Sequence, residues 1–264
     1  MITDLSSTVA VVIGGTRGIG RASVRKMAAC GARVVFQGRD ESAAQEVIES
    51  CAAFSGEVRF VPGDLSTYEG VEGVVRQAAE HFGKVDVLVA SGGPREPRPL
   101  LFASSTPEHS VALLQSRLFP RLYALHAAVA HMRDRGYGKI VLLTTDAART
   151  PTPSEAIIGA AGASVMFLTR ALGAELARYG IRVNAIATTL TTGTPPHDEY
   201  LRAGEGGANE TIMKAFAKAE QRVKFRINTA DDLAEYVLFL ASPESDQISG
   251  STLSINGGLS FPSY

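Results

Sequence analysis

Gly14, Gly18 and Gly20 fall within one seven-residue run, Gly14-Gly15-Thr16-Arg17-Gly18-Ile19-Gly20. Directly before it stands Val9-Ala10-Val11-Val12-Ile13, an unbroken apolar run rich in β-branched residues. Such a run predicts a strand buried on both faces. Ile19 to Ala29 reads as a helix that Gly31 ends. A glycine turn between a strand and a helix lets backbone N–H groups approach a diphosphate, and the helix start adds partial positive charge. A glycine triad alone is a weak signal; the strand before it and the helix after it give it meaning. The chemistry implied is dinucleotide binding through Gly14, Thr16, Arg17, Gly18, Ile19 and Gly20.

The next strand, Arg33 to Gln37, runs into Gly38-Arg39-Asp40. Arg39 stands where it can grip a ribose 2′-phosphate, and Arg17 lies inside the glycine loop. Guanidinium pairs well with phosphate oxygens, so NADP is the expected coenzyme. Asp40 can instead accept hydrogen bonds from an unphosphorylated ribose, which keeps NAD as the alternative.

Other function classes are disfavoured. Lys and Arg number 26 against 27 Asp and Glu, a formal charge of -1, so no basic surface for nucleic acid is expected. The two cysteines, Cys30 and Cys51, form no CxxC pair, and no zinc site is expected. Isolated cysteines suit a reducing compartment, so the expected location is cytoplasmic. The first residues lack a basic stretch, and no membrane-spanning run of roughly 20 apolar residues is expected.

The elements that must position these residues alternate along the chain. Strands are predicted at Val58–Val61, Val85–Val89, Lys139–Leu143, Ile181–Ile186 and Thr252–Ile255, besides the two named above. Helices are predicted at Glu41–Phe54, Val71–Phe82, Pro107–Arg135 with a kink at Pro120, Ser154–Tyr179, and Asp231–Leu240. A Gly- and Pro-rich loop covers 92–99. The segment at about 188–227 breaks the rhythm and reads as a substrate lid. The expected fold is α/β, a single doubly wound Rossmann domain over 1–264. Its sheet is mostly parallel and seven-stranded, with helices on both faces. Ligands of such sheets sit at the carboxyl ends of the strands, where strand order reverses.

Along essentially its whole length the chain resembles the short-chain dehydrogenase/reductase superfamily. The resemblance rests on the glycine loop, Gly63-Asp64-Leu65, Asp86-Val87-Leu88-Val89, and Leu168-Thr169-Arg170-Ala171-Leu172. It also rests on Ile181-Arg182-Val183-Asn184-Ala185-Ile186 and the segment Ile248 to Gly258. It implies that Asp64 hydrogen-bonds adenine, that Leu65 flanks it, and that Ser91 and Gly92 pass beneath the nicotinamide ribose. It also implies a homotetramer or homodimer acting on a small-molecule substrate.

The family pattern carries a Ser after strand five, Tyr-x-x-x-Lys on the following helix and an Asn on the preceding one. Laid on it without gaps, this chain has Thr145 at Ser, Ile158 at Tyr and Gly162 at Lys, with the Asn position near Arg117. No lysine occurs between Thr144 and Ile212, so no shift of register restores the pair. Ile158 has no proton to give. The coenzyme half looks intact, and the usual acid–base half does not. Hydride transfer is separable from proton delivery, and an enolate formed by conjugate addition can be held by fixed donors. Thr145, Arg117, Asp146 and His197 are the candidate catalytic residues, with Arg95 and Tyr200 as further candidates. Ile157, Ile158 and Met213 are expected to make the pocket apolar. The expected activity is NAD(P)(H)-dependent reduction of a conjugated or cyclic carbonyl compound. A binding scaffold without turnover and a non-redox lyase or cyclase stay open.

Overall fold

The strand β1 (Val9–Ile13) is buried at all five positions, as an unbroken run of Val, Ala and Ile demands. The structure is a computed structural model that describes residues 3–203, 214, 217–218 and 220–261. Around β1 lie β2 (Arg33–Gly38), β3 (Glu57–Pro62), β4 (Val87–Ala90), β5 (Gly138–Thr145), β6 (Ile181–Thr188) and β9 (Thr252–Ile255). They form one seven-stranded sheet in the order β3-β2-β1-β4-β5-β6-β9. Every neighbouring pair is parallel. A second, two-stranded pair joins β7 (Thr191–Thr192) to β8 (Asn228–Thr229).

The helices are α1 (Gly18–Ala29), α2 (Glu41–Cys51), α3 (Tyr68–Phe82), α4 (Pro107–Arg135), α5 (Ala156–Glu175), α6 (Pro195–Ala203) and α7 (Ala230–Ala241). Two apolar clusters flank the sheet. One packs α3, α4 and α5 residues such as Val74, Leu125 and Val165 against one face. The other packs Val24, Val47 and Leu233 of α1, α2 and α7 against the opposite face. This is the expected doubly wound α/β architecture. Strand order reverses between β1 and β4, so the glycine loop and the residues after β4 emerge side by side.

Several boundaries differ from the sequence reading for local reasons. Helix α2 stops at Cys51 rather than Phe54. Gly56 follows, tucked so tightly that a Cβ there would lie 2.3 Å from the Ala32 carbonyl oxygen. Helix α4 runs unbroken through Pro120, which is buried. Helix α5 begins at Ala156 rather than Ser154, because Ser154 takes a left-handed conformation with φ 64°. Contrary to the expectation, one stretch is long and apolar enough to cross a membrane: Ala156–Tyr179, 24 residues. It is α5 and its last turn. Gly159, Gly162 and Gly173 along it are buried in the contacts with its neighbours.

Helix α7 starts with a reciprocal cap. The Asp232 N–H donates to Thr229 Oγ1 at 3.1 Å, and the Thr229 N–H donates to Asp232 Oδ2 at 2.8 Å. Arg226 donates to the same carboxylate. The Arg226 hydrogen bond, with those from Thr229, holds the Asp232 carboxyl well below the usual range. A depressed carboxyl contributes stability above its unfolded pKa of about 4 and loses it as pH falls through the folded value. Thr229→Ala is expected to cost about 1 kcal/mol in urea unfolding, and Asp232→Ala to flatten the acid limb below roughly pH 4. An unchanged urea midpoint in Thr229→Ala contradicts the cap.

Candidate active site

The glycine loop is interlocked with the backbone that follows β4. Gly14 has φ 83°, and a Cβ added there would lie 2.4 Å from Gly92 Cα. Ser91 and Gly92 both donate to the Ile13 carbonyl, at 3.1 and 2.9 Å. A Cβ on Gly20 would meet the Gly14 carbonyl oxygen at 2.1 Å. Gln37 fastens the loop from the other side. Its Oε1 accepts from Gly14 N–H at 3.0 Å, and its Nε2 donates to the Gly63 carbonyl at 2.5 Å. Asp40, Thr67, Thr106 and Thr229 cap α2, α3, α4 and α7, but no side chain caps α1. Its first N–H groups are therefore left without a side-chain acceptor, as the start of a helix that takes an anion would be. A cleft of about 800 Å³ opens there, walled by Thr16, Arg17, Gly18, Asp40, Thr192 and Gly193. This bare backbone cradle fits a diphosphate.

The flanking charges are arranged less simply than two cations for one phosphate. Arg17 pairs with Asp40 at 2.6 Å, and Asp40 also caps α2 by accepting from Ala43 N–H at 3.0 Å. Those bonds, the cap first, hold the Asp40 carboxyl below its ordinary value. Arg39 is exposed at the end of β2. Asp64 accepts from the Ser66 N–H and hydroxyl at 2.9 and 2.8 Å, which lowers its carboxyl in turn. Leu65 is buried beside it.

Beyond the glycine loop, residues of α4 and α5 meet the end of β5. Thr145 closes β5, and its Oγ1 accepts from Ala147 N–H at 3.1 Å, leaving the hydroxyl proton to donate elsewhere. Gly162 backs directly onto it: a Cβ there would lie 2.7 Å from Thr145 Cγ2 and 3.1 Å from Ala148 Cβ. Arg117 does not stand ready for an anion. Its guanidinium donates to the Pro94, Arg95 and Pro97 carbonyls and so clamps the loop after β4 to α4. Burial lowers the Arg117 pKa. One turn on, Arg121 donates to the Leu143 and Arg117 carbonyls at 2.8 and 2.7 Å, and burial brings it down to about 10.

Three other candidates are engaged in ways the sequence did not show. Arg95 pairs with Glu199 of α6, which also pairs with Arg98 at 3.2 Å. The loop after β4 is thus latched to α6. Asp146 is buried, and its Oδ2 accepts from Asn256 and Ser260 after β9, the latter at 2.6 Å. Its Oδ1 is shut away without a partner among the described residues. His197 accepts from Gly193 N–H at 3.4 Å through Nδ1 and so holds the start of α6. A Cβ on Gly18 would lie 3.4 Å from Pro195 and Thr194, so α6 begins over the glycine loop. The side chain of Tyr200 and all of Met213 lie outside the described residues.

The family of enoyl-(acyl carrier protein) reductases matches residues 13–260. The short-chain reductase protein NovJ of Streptomyces niveus is 34% identical over 251 residues, covering 95% of this chain and 93% of that protein. The chain belongs to the short-chain dehydrogenase/reductase family. The 2,3-dihydroxy-2,3-dihydro-p-cumate dehydrogenase of Pseudomonas putida is 32% identical over 255 residues, covering 96% and 95% of the two chains. A dehydrogenase/reductase from Sinorhizobium meliloti 1021 superposes with a TM-score of 0.84 at 25% identity, covering 98% of this chain and 97% of that one. This short-chain dehydrogenase/reductase is therefore an oxidoreductase of a family that uses NAD(P).

Within this family frame the structure gathers Gly14, Thr16, Arg17, Gly18, Gly20, Ser91 and Gly92 around one cradle, with Arg39, Asp64 and Leu65 at its β2–β3 end. It packs Gly162 on Thr145, holds Arg117 on the loop after β4 and sends Asp146 toward the C-terminal segment. Gln37 and Glu199 escaped the sequence reading. Gln37 carried one available signal, a buried-strand position filled by an amide.

Proposed function

We propose that this chain is an NADP(H)-dependent oxidoreductase with a non-standard active site that reduces small conjugated or cyclic carbonyl compounds. The observation that carries this reading is the pairing of a complete diphosphate cradle with Gly162 packed on Thr145. At that contact no side chain larger than hydrogen fits without displacing Thr145. Ile158 supplies no proton, so the family's Tyr/Lys chemistry has no residues to run on. The bound coenzyme supplies hydride. The Thr145 hydroxyl holds the substrate oxygen, Arg117 fixes the loop after β4, and α6 with Glu199, the described start of the 188–227 segment, excludes water. The description of the matching family as enoyl reductases supports conjugate reduction. The activity in the cumate relative's name supports a ring substrate. Phe167 on α5 and Val111 on α4 are exposed apolar residues, which supports the homodimer or homotetramer implied by the family.

The test is oxidation of NADPH in the presence of 2-cyclohexen-1-one. Steady oxidation supports the reading. Tight coenzyme binding without turnover across a panel of enones and cyclic ketones favours a scaffold. Coenzyme choice has its own test. Asp40→Asn keeps an α2 cap, frees Arg17 and removes a negative charge beside the 2′-phosphate position. NADPH affinity is expected to rise several-fold, about 1 kcal/mol, with NADH unimproved. If both coenzymes weaken together, Asp40 faces the ribose and NAD is the coenzyme.

A further inference from the structure

Helix α4 carries a cation into the fold without a counter-charge. Strand β4 makes its last pair with β5 at Ala90 and Leu142. Ser91 and Gly92 then bend to the Ile13 carbonyl of β1. The Leu143 carbonyl lies just past that last pair, and Arg121 Nε donates to it at 2.8 Å. Arg121 Nη1 donates to the Arg117 carbonyl at 2.7 Å and lies 3.7 Å from where a Cβ of Gly93 would stand. The guanidinium is thereby fixed between the diverging ends of β4 and β5, at the second residue before Thr145. This is the carboxyl end of the sheet beside the reversal of strand order, where ligands of such folds sit. Arg121 Nη2 makes no hydrogen bond among the described residues, and it is not one of the nitrogens sealed from solvent without a partner. No carboxylate pairs with Arg121 among the described residues, and the charge that acts on it is the like charge of Arg117. Glu96 and Glu155 act on Arg117 instead. Burial lowers Arg121 only to about 10, so it stays a cation at neutral pH. A guanidinium withdrawn from water without a counter-ion works against the fold. Such a cost persists where a site uses the charge.

We propose that Arg121 is a catalytic residue of this enzyme, its open Nη2 donating a hydrogen bond to the oxyanion that forms when hydride adds to a conjugated carbonyl compound. The proposal rests on the oxidoreductase reading above. The β carbon of the enone accepts hydride from the reduced nicotinamide, and a C–H bond forms. The π electron pair shifts to the carbonyl oxygen, which becomes an enolate oxygen. Thr145 stands two residues beyond Leu143, roughly 7 Å along β5, a spacing that lets one oxygen accept from both hydroxyl and guanidinium. Arg121 keeps its protons throughout. Water then protonates the α carbon, and solvent takes up the hydroxide, so no side-chain acid is needed where Ile158 stands. A cation already fixed in an enclosed site stabilises the new charge without having to reorganise.

Two measurements on the full chain test this, with Arg121→Gln and Arg121→Lys beside the wild type. The first is NADPH oxidation with 2-cyclohexen-1-one. Arg121→Gln keeps a donor and loses the charge, and it is expected to lower kcat by about 10²–10³-fold with NADPH affinity little changed. Arg121→Lys keeps the charge and should recover part of that loss. The second needs no turnover: 4-nitrophenol, whose phenolate resembles an enolate, is titrated into the protein saturated with NADP and followed by its absorbance. Wild type should bind the phenolate about 10–10³-fold tighter than the phenol, and Arg121→Gln should lose that preference. An arginine that only supports the fold would change stability and leave the preference alone. If wild type turns over and Arg121→Gln retains its kcat, the assignment falls while the oxidoreductase reading stands. A wild type with no preference for the phenolate also overturns the assignment, whether or not the variants fold. No NADPH oxidation by wild type with any carbonyl probe sinks both.

Discussion

Gly14→Ala is expected to abolish coenzyme binding, raising the dissociation constant for NADPH more than about 100-fold, or roughly 2.7 kcal/mol. Two separate features make a methyl here damaging. Gly14 adopts φ 83°, where a side chain is strained. The new Cβ would also lie 2.4 Å from Gly92 Cα, backbone against backbone, with no flexible side chain able to yield. Relief requires the ends of β1 and β4 to part, which breaks the two hydrogen bonds to Ile13 and tilts the first turn of α1 away from the diphosphate. The melting temperature should fall as well. Gly73→Ala is the control. It lies inside α3, where a Cβ meets only Arg76 Nη2 at 3.9 Å. It should leave binding intact and stabilise by about 0.5–1 kcal/mol. Calorimetric titration with NADPH checks both, and unchanged affinity in Gly14→Ala would show that the cradle is not where the coenzyme sits.

The second large effect belongs to Arg117. Arg117→Met leaves the Pro94, Arg95 and Pro97 carbonyls without their donor. It also removes a fork that no neighbouring residue can replace. Hydrogen bonds to charged groups are worth about 1.5–3 kcal/mol each, but a released loop rehydrates part of its carbonyls. The net cost is therefore expected near 2–4 kcal/mol, read as a lower urea midpoint. KM for any carbonyl substrate should rise, because the loop after β4 continues from Ser91 and Gly92, which abut the glycine loop. Arg117→Lys should fail to restore either property, since an ammonium cannot reach three carbonyls with a planar fork. Full rescue by lysine would mean that Arg117 acts as a simple charge, as the sequence alone suggested.

The fold was legible because its signals are local. Val9–Ile13 and residues 140–143 are apolar runs whose burial follows from composition, and the glycine loop identifies itself by the strand and helix on either side. The site was legible only in part, because its partners meet across long sequence separations. Arg95 and Glu199 are about a hundred residues apart, as are Asp146 and Asn256. An arginine near a cleft reads as an anion partner until the carbonyls that occupy it are seen, as at Arg117. Gln37 read as an ordinary strand residue because its two partners, Gly14 and Gly63, come from different loops.

The most direct measurement is titration of the intact protein with NADPH by isothermal calorimetry, with NADH alongside. Saturable binding of one NADPH per chain, tighter than NADH, is the predicted result. No heat from either coenzyme at millimolar concentration would contradict the account, since a diphosphate cradle at the start of α1 that holds no diphosphate leaves the hydride without a source.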